Sequence, residues 1–391
     1  MKIDKRRPKH WLLLIVFGVN CVIGMMARCI LARKSRVVLY GHKLHGNLLS
    51  VFEEIEGNRR NSDLSVVYLT MDPAYREELR RSGINAFAAY NVLEMIAVCR
   101  SVAIVTDHGP HALLLLLKFT DMPFFDVWHG IPFKGFDKQD FKYLQNYRKL
   151  FVASPSMKRM YEEKFGFRER QIVVTGYGRT DKLVNGGFTK NELMYKYGLA
   201  PESGKTVLLA PTWHHDRQTR RVMPFGWEVD EVMEKLTEFT DKTGHLIIVR
   251  LHLNSPSGRS HGPGRIRFMS SDDYPIAEEI LALSDVLVSD WSSIVFDFLL
   301  LRRPTVFVDS EPPFNKGFSY GPENRFGPLV RTPAQLISTL ERVCDDPVKS
   351  LHEHEQKMEA VMQEVYGGFA DGKAGKRYVE NIKKYSVGGS G

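Results

Sequence analysis

From Arg36 onward, short runs rich in β-branched residues alternate with stretches of helical period. Runs 37–40, 65–69, 102–105, 124–128 and 172–174 read as buried strands, and 72–82, 91–99 and 155–165 between them place apolar residues three and four apart. A second series begins near Lys205, with strands at 206–210, 246–251, 286–289 and 305–308 and helices at 227–243, 275–283, 293–301 and 333–344. Strands alternating with helices predict parallel βαβ units, hence the α/β class. Two such series joined near 185–204 predict two Rossmann-like halves facing a central cleft. The expected division is 1–35, an N-terminal membrane-associating helix with its basic flank; 36–190, the first half; 191–380, the second; and 381–391, a linker or tag remnant. Ligands of parallel sheets sit at the carboxyl ends of the strands, which directs attention to the residues just after each strand.

The first thirty-odd residues break this pattern. Lys2, Lys5, Arg6, Arg7 and Lys9 precede an apolar run at 11–27, followed by Arg28, a second short apolar stretch and then Arg33, Lys34 and Arg36. A spanning helix needs about 20 apolar residues, a length reached here only if Arg28 snorkels. Basic residues on both sides give no orientation, and no small-x-small cleavage site follows. The run therefore reads as a membrane-surface anchor touching anionic lipid, with a helix buried against the globular body as the alternative.

Composition narrows the class further. The 391 residues carry 54 Lys+Arg against 46 Asp+Glu, a net charge of +8, and are 43% hydrophobic. That excludes a disordered or fibrous chain and a polytopic membrane protein, and the basic excess favours anionic partners. Cys21, Cys29, Cys99 and Cys344 show no paired spacing, so neither a disulfide framework nor a zinc knuckle is expected. His108 and His111, and the adjacent His214, His215 and Asp216, lack a suitably spaced third ligand, so no structural metal is expected. Walker, G-x-G-x-x-G and G-x-S-x-G motifs are absent, as are nucleic-acid-binding modules.

Five stretches after strands carry the candidate chemistry. In SDVLVSDWSSIVFDF (284–298), a strand and a short loop lead to Ser292 or Ser293 at the start of an apolar helix, a phosphate cradle by its free N–H groups and hydroxyls. In FFDVWHGIP (124–132), His129 follows a strand and Gly130 permits close backbone approach. A neutral imidazole there can accept a proton from an attacking hydroxyl. In LIIVRLHLN (246–254), Arg250 and His252 fall on one face of an extended strand and are suited to a diphosphate. GYGRTD (176–181) offers Arg179 and Asp181, and APTW (210–213) offers the Thr212 hydroxyl.

Taken in order, WHGIP at 128–132, GYGRTD, APTW, VRLH at 249–252, SDVLVSDWSSIVFDF and DGKAGKR at 371–377 resemble the CDP-glycerol:glycerophosphotransferase family of wall teichoic acid and capsule synthesis. The resemblance covers roughly 36–380 and departs from the family where Ile131, Gly178 and Trp291 replace its usual Thr, Pro and Tyr. It implies a GT-B fold, a CDP-alditol donor held mainly by the second half, and attachment to the cytoplasmic face of the cell membrane. It also implies His129 as general base, His252 at the donor phosphates, and Arg250, Thr212, Ser292 and Ser293 as donor contacts, with Arg179, Asp181 and Gly130 beside them. The reaction implied is glycerol-phosphate transfer from CDP-glycerol to a polyprenyl-diphosphate-linked saccharide, releasing CMP, as a primase in preference to a polymerase. No cofactor is implied, although a divalent ion could assist the diphosphate without a dedicated site. CDP-ribitol transfer and a nucleotide-sugar GT-B glycosyltransferase are the rival activities. A membrane-bound scaffold that retains the fold is the rival of another class.

Overall fold

The computed structural model describes residues 8–60, 63–199, 204–212, 224–250 and 262–386, which form two compact units. The first takes the described chain up to His129, then Asp137–Asp181 and the residues from Lys373 on; the second takes Gly130–Phe136 and Lys182–Gly372. The linear division expected from the sequence therefore needs correction at its C-terminal end. The last helix, Ala374–Ser386, returns to the first unit, where Tyr378, Val379 and Ile382 join the core. Of the stretch 381–391 expected as a linker or tag remnant, 381–386 belong to that helix and 387–391 lie outside the described residues.

The first unit is built on β1 (Lys34–Tyr40), β2 (Ser65–Thr70), β3 (Ala86–Ala88), β4 (Ser101–Thr106), β5 (Phe124–Asp126), β6 (Lys149–Val152) and β7 (Ile172–Val174). All are parallel, in the order β3-β2-β1-β4-β5-β6-β7. Val37, Val66 and Ala103 share one register row, and their faces bury with Tyr68, Phe125 and Phe151. The strands were legible because both faces are covered, which demands continuous apolar runs. Local side-chain chemistry starts the helices. Asp72 accepts from Ala74 N (3.0 Å), Asn91 from Leu93 N (3.0 Å) and Ser154 from Met157 N (3.1 Å).

The second unit holds β8 (Thr206–Ala210), β9 (Leu246–Val249), β10 (Ile266–Phe268), β11 (Val286–Ser289), β12 (Thr305–Val308) and β13 (Leu329–Val330). They too are parallel, in the order β10-β9-β8-β11-β12-β13. Each sheet therefore reverses its winding once, between β1 and β4 in the first unit and between β8 and β11 in the second. Parallel sheets take ligands at such switch points, in a crevice beyond the strands' carboxyl ends.

Helix Pro8–Ile30 lies along the first unit, against helices Val92–Cys99 and Leu114–Phe119. Phe17, Asn20, Cys21 and Arg28 form its buried face, while Leu12, Ile15, Val19, Met26 and Ile30 remain exposed on the other. Arg28 does not snorkel. Its Nη1 donates to the carbonyls of Cys99 (2.7 Å) and Ser101 (3.0 Å), and its Nε pairs with Asp121 at 2.8 Å. The segment 11–30 is long and apolar enough to cross a membrane by composition, with a mean hydropathy of 2.1. Its anchored guanidinium and packed face make it a side-on helix of this unit.

Candidate active site

At the switch point of the first unit, Asp107 and His108 follow β4, and β5 leads through Trp128 to His129. Gly41, just past β1, leaves room for this cluster: a Cβ there would stand 2.4 Å from Asp107 Oδ1. Around Asp107 gather His42, His108, His111 and His129. The His108 and His129 rings stack at 4.1 Å and 5°, and His42 packs edge-on to His108 at 4.8 Å. Trp128 adopts φ +50°, a conformation costly for a bulky residue. Asp126 holds it there, accepting from Trp128 N (2.9 Å) and from the Thr106 hydroxyl (2.7 Å). The expected strand 124–128 consequently stops at Asp126.

His129 Nδ1 lies 3.0 Å from the carbonyl oxygen of Asp107. A carbonyl only accepts, so Nδ1 carries the proton and the neutral ring keeps its lone pair at Nε2. The residue retains exposed surface, but packing around the imidazole removes water from it, and His108 opposes a second positive charge. Both hold its pKa below the usual histidine value. Burial likewise lowers His42 to about 4 and His108 to about 3, and raises Asp107 to about 6 and Asp126 to about 7. The cluster is thus a set of neutral imidazoles with the lone pair of one of them available to a hydroxyl.

The GYGRTD stretch serves this geometry from behind. Arg179 Nη1 donates to the His129 carbonyl (2.8 Å), and Arg179 N donates to Asn47 Oδ1 (3.0 Å). Asn47 is buried and its amide nitrogen donates to the carbonyls of Val127 (2.8 Å) and Trp128 (3.0 Å), tying the turn to the strand exit. Asp181, expected at the substrate, instead accepts from Ala374 N (3.1 Å) and Gly375 N (2.8 Å) and so caps the final helix. DGKAGKR is therefore the other half of GYGRTD. Gly178 explains one departure from the family pattern: its N–H donates to the Tyr378 hydroxyl (3.1 Å), and a Cβ would lie 2.1 Å from Ser50 Oγ, so proline has neither room nor donor there.

The second unit gathers different chemistry at its own switch point. Thr212, just past β8, donates from both N (2.7 Å) and Oγ1 (2.6 Å) to Oδ1 of the buried Asp290, just past β11. Ser310 Oγ donates to the other carboxylate oxygen at 3.2 Å. Ser293 occupies the N-cap position of helix Ile294–Leu299 but makes no side-chain cap bond. Both Ser292 and Ser293 are half-buried, and among the described residues neither hydroxyl has a partner. Arg250, at the end of β9, donates from Nη2 to the Tyr274 carbonyl (3.0 Å). Trp291 is buried and donates to the Ser310 carbonyl (2.9 Å), with the Arg325 guanidinium 4.3 Å over its ring. Gly130 begins the segment Gly130–Phe136 of this unit with φ +154°, open to glycine. His252 lies outside the described residues.

Sequence reasoning missed Asn47, Asp107, Asp126 and Asp290. Asp107, Asp126 and Asp290 end or immediately follow strands, the same positional signal that singled out His129. Asn47 lies in the first turn of helix Gly46–Gly57, whose apolar spacing at Leu48, Val51 and Ile55 was the signal for it.

Two parallel α/β units, each with a polar cluster at its switch point, define a GT-B-like class. The wall teichoic acid polymerase TagF in complex with CDPG has this fold, with a TM-score of 0.75 at 18% identity over 97% of this chain and 98% of that one. A UDP-GlcNAc 2-epimerase from Neisseria meningitidis is a more distant fold match, with a TM-score of 0.56 at 14% identity over 89% of this chain and all of that one. The family model described as CDP-Glycerol:Poly(glycerophosphate) glycerophosphotransferase matches residues 25–384, and the chain belongs to that family of phosphotransferases. Among curated relatives, a teichoic acid glycerol-phosphate transferase of Staphylococcus aureus is 26% identical over 69% of this chain and 73% of its own length. A teichoic acid glycerol-phosphate primase of Bacillus spizizenii is 24% identical over 79% of this chain and 81% of its length. The chain spans about half of the longer polymerases, such as 48% of the Bacillus subtilis poly(glycerol phosphate) polymerase.

Proposed function

We propose that this protein transfers glycerol phosphate from CDP-glycerol to a hydroxyl of a lipid-linked teichoic acid precursor, with His129 as the general base. One observation carries the reading: the Asp107 carbonyl fixes the proton of His129 at Nδ1 and leaves Nε2 as the acceptor. The acceptor hydroxyl gives its proton to Nε2 as its oxygen bonds to the glycerol-bearing phosphorus. The bond from that phosphorus to the bridging oxygen breaks, and CMP leaves with the electron pair. Arg250 and the hydroxyls of Ser292 and Ser293, with His252, meet the charge on the diphosphate and departing CMP, and Thr212 fixes the neighbouring Asp290. Arg179 acts through the His129 carbonyl and is a positioning residue. The reaction takes place at the cytoplasmic face of the membrane that carries the acceptor.

His129→Ala should lower CMP release from CDP-glycerol plus a lipid-linked acceptor by about 10²–10⁴-fold, with the circular dichroism spectrum unchanged. Turnover near the wild-type rate removes His129 from this role. A second donor is favoured by a specific finding, since ribitol-phosphate polymerases and a ribitol-phosphate primase also stand among the relatives. Nucleotide release measured with CDP-glycerol, CDP-ribitol and UDP-sugars separates these donors, and the mass of the product reads whether one unit or many are added.

A further inference from the structure

The first unit carries a second concave site at the opposite edge of its sheet from His129. It is a pocket of about 600 Å³ whose lining includes Phe124, Lys149 and Gln171, which begin or immediately precede β5, β6 and β7. Arg148, Lys149, Arg168, Arg170 and Lys384 line it, against the single carboxylate of Asp121. That carboxylate is already engaged by Arg28 and Arg33. Glu169, the acidic residue between the two lining arginines, turns away to Lys158 at 3.3 Å. Among the described residues, none of the five lining cations forms an ion pair. Their contacts are to neutral groups, such as Arg168 Nε to Gln171 Oε1 at 3.2 Å and Lys149 Nζ 4.0 Å over the Tyr385 ring. A concave surface with so much unbalanced positive charge fits a phosphate-bearing anion.

The surroundings say which one. Leu117, on helix Leu114–Phe119, lines the same pocket, and this helix exposes Leu115 and Phe119, the latter by 70%. Asp121 on the pocket wall joins that corner to the N-terminal helix through Arg28, and the outer face of that helix exposes Ile15, Val19 and Met26. An apolar face rimmed by a cationic pocket is the arrangement of a surface that dips into acyl chains while gripping headgroups. We propose that this pocket binds the phosphate of an anionic phospholipid while the exposed faces of helices Pro8–Ile30 and Leu114–Phe119 enter the headgroup–acyl boundary of the leaflet they face. The first unit then docks side-on, and the N-terminal helix lies in the membrane plane. This assignment does not rest on the donor chemistry of His129.

The test is co-sedimentation of the full chain with vesicles of phosphatidylcholine alone or with phosphatidylglycerol added. Phosphatidylglycerol should tighten binding, and high salt should remove the gain. The combined variant Arg148→Gln, Arg168→Gln and Arg170→Gln should weaken binding to the anionic vesicles roughly a hundredfold, at about fivefold per charge. Its binding to neutral vesicles and its thermal midpoint should not change. The paired variant Ile15→Asp and Val19→Asp should weaken binding to both vesicle types. Undiminished anionic-vesicle binding by the arginine variant overturns the pocket's role, and so does an equal loss on neutral vesicles. Free inorganic phosphate or glycerol 3-phosphate, at the same phosphate concentration as the lipid, should not protect Lys149 from acetylation as anionic vesicles do. Equal protection overturns the lipid in favour of a soluble phosphate.

Discussion

The two units place opposite kinds of chemistry at the same topological position. In the first, the crevice beyond β1 and β4 holds imidazoles crowded around Asp107, with Arg179 directed at a backbone carbonyl. Beyond β8 and β11 in the second lie hydroxyls, Arg250 and a carboxylate, Asp290, whose bonded neighbours are hydroxyl and backbone donors. Under the proposed reaction, identical winding presents a place to take up a proton in one unit and a seat for the donor's anionic groups in the other. The fold supplies the location, and the residues after the strands supply the function.

Breaking the second cluster should have the larger structural effect. Asp290→Ala removes the acceptor of three donors at a fully buried position, leaving Thr212 N, Thr212 Oγ1 and Ser310 Oγ without it. Unsatisfied buried groups cost about 1–3 kcal/mol each, so a loss of about 3 kcal/mol should appear as a lower denaturant midpoint, together with a raised KM for CDP-glycerol. Asp290→Asn, which keeps one acceptor oxygen, should recover part of both. In the first cluster, Asn47→Ala frees the carbonyls of Val127 and Trp128 and the N–H of Arg179 at once. If Asn47 positions His129, kcat should fall about tenfold, equivalent to about 1.4 kcal/mol, with KM for the donor unchanged. A rise in KM alone would assign it to donor binding.

The same contrast shows what the amino-acid sequence can reveal. Long buried strands such as β1 and β4, and caps such as Asp72 and Asn91, announce themselves because apolar runs and side-chain acceptors are local signals. β3, β10 and β13, of two or three residues, leave no such run. His129 and Thr212 stand out in the sequence because they follow strands. Asp181, expected among the substrate contacts, caps the final helix through Ala374 N and Gly375 N, partners nearly two hundred residues away that depend on that helix returning to the first unit. Arg28 illustrates the same limit: its carbonyl partners come from the turn before β4, which no pattern in the N-terminal run foretells.

The finest test concerns the neutrality of the imidazole cluster. Burial and its neighbours hold His129 below the usual histidine range, and His108, stacked at 4.1 Å, contributes to both effects. His108→Ala removes that neighbour and admits water, so the pKa of His129 should rise toward the ordinary value of about 6.5. The acid limb of kcat/KM should then move to higher pH, with the rate at pH 8 nearly unchanged, because His129 is neutral there in both proteins. Stability should respond in a related sense. A histidine with a depressed folded pKa binds more protons unfolded, so acidification below about 6.5 destabilises the wild type, and the loss grows until the folded values are reached, about 4 for His42 and about 3 for His108. The variant lacks one such group and should lose less stability between pH 6.5 and 4, read from thermal midpoints across that range. An acid limb that stays in place while the stability slope becomes shallower would leave His108 a packing residue and assign the low pKa of His129 to its burial alone.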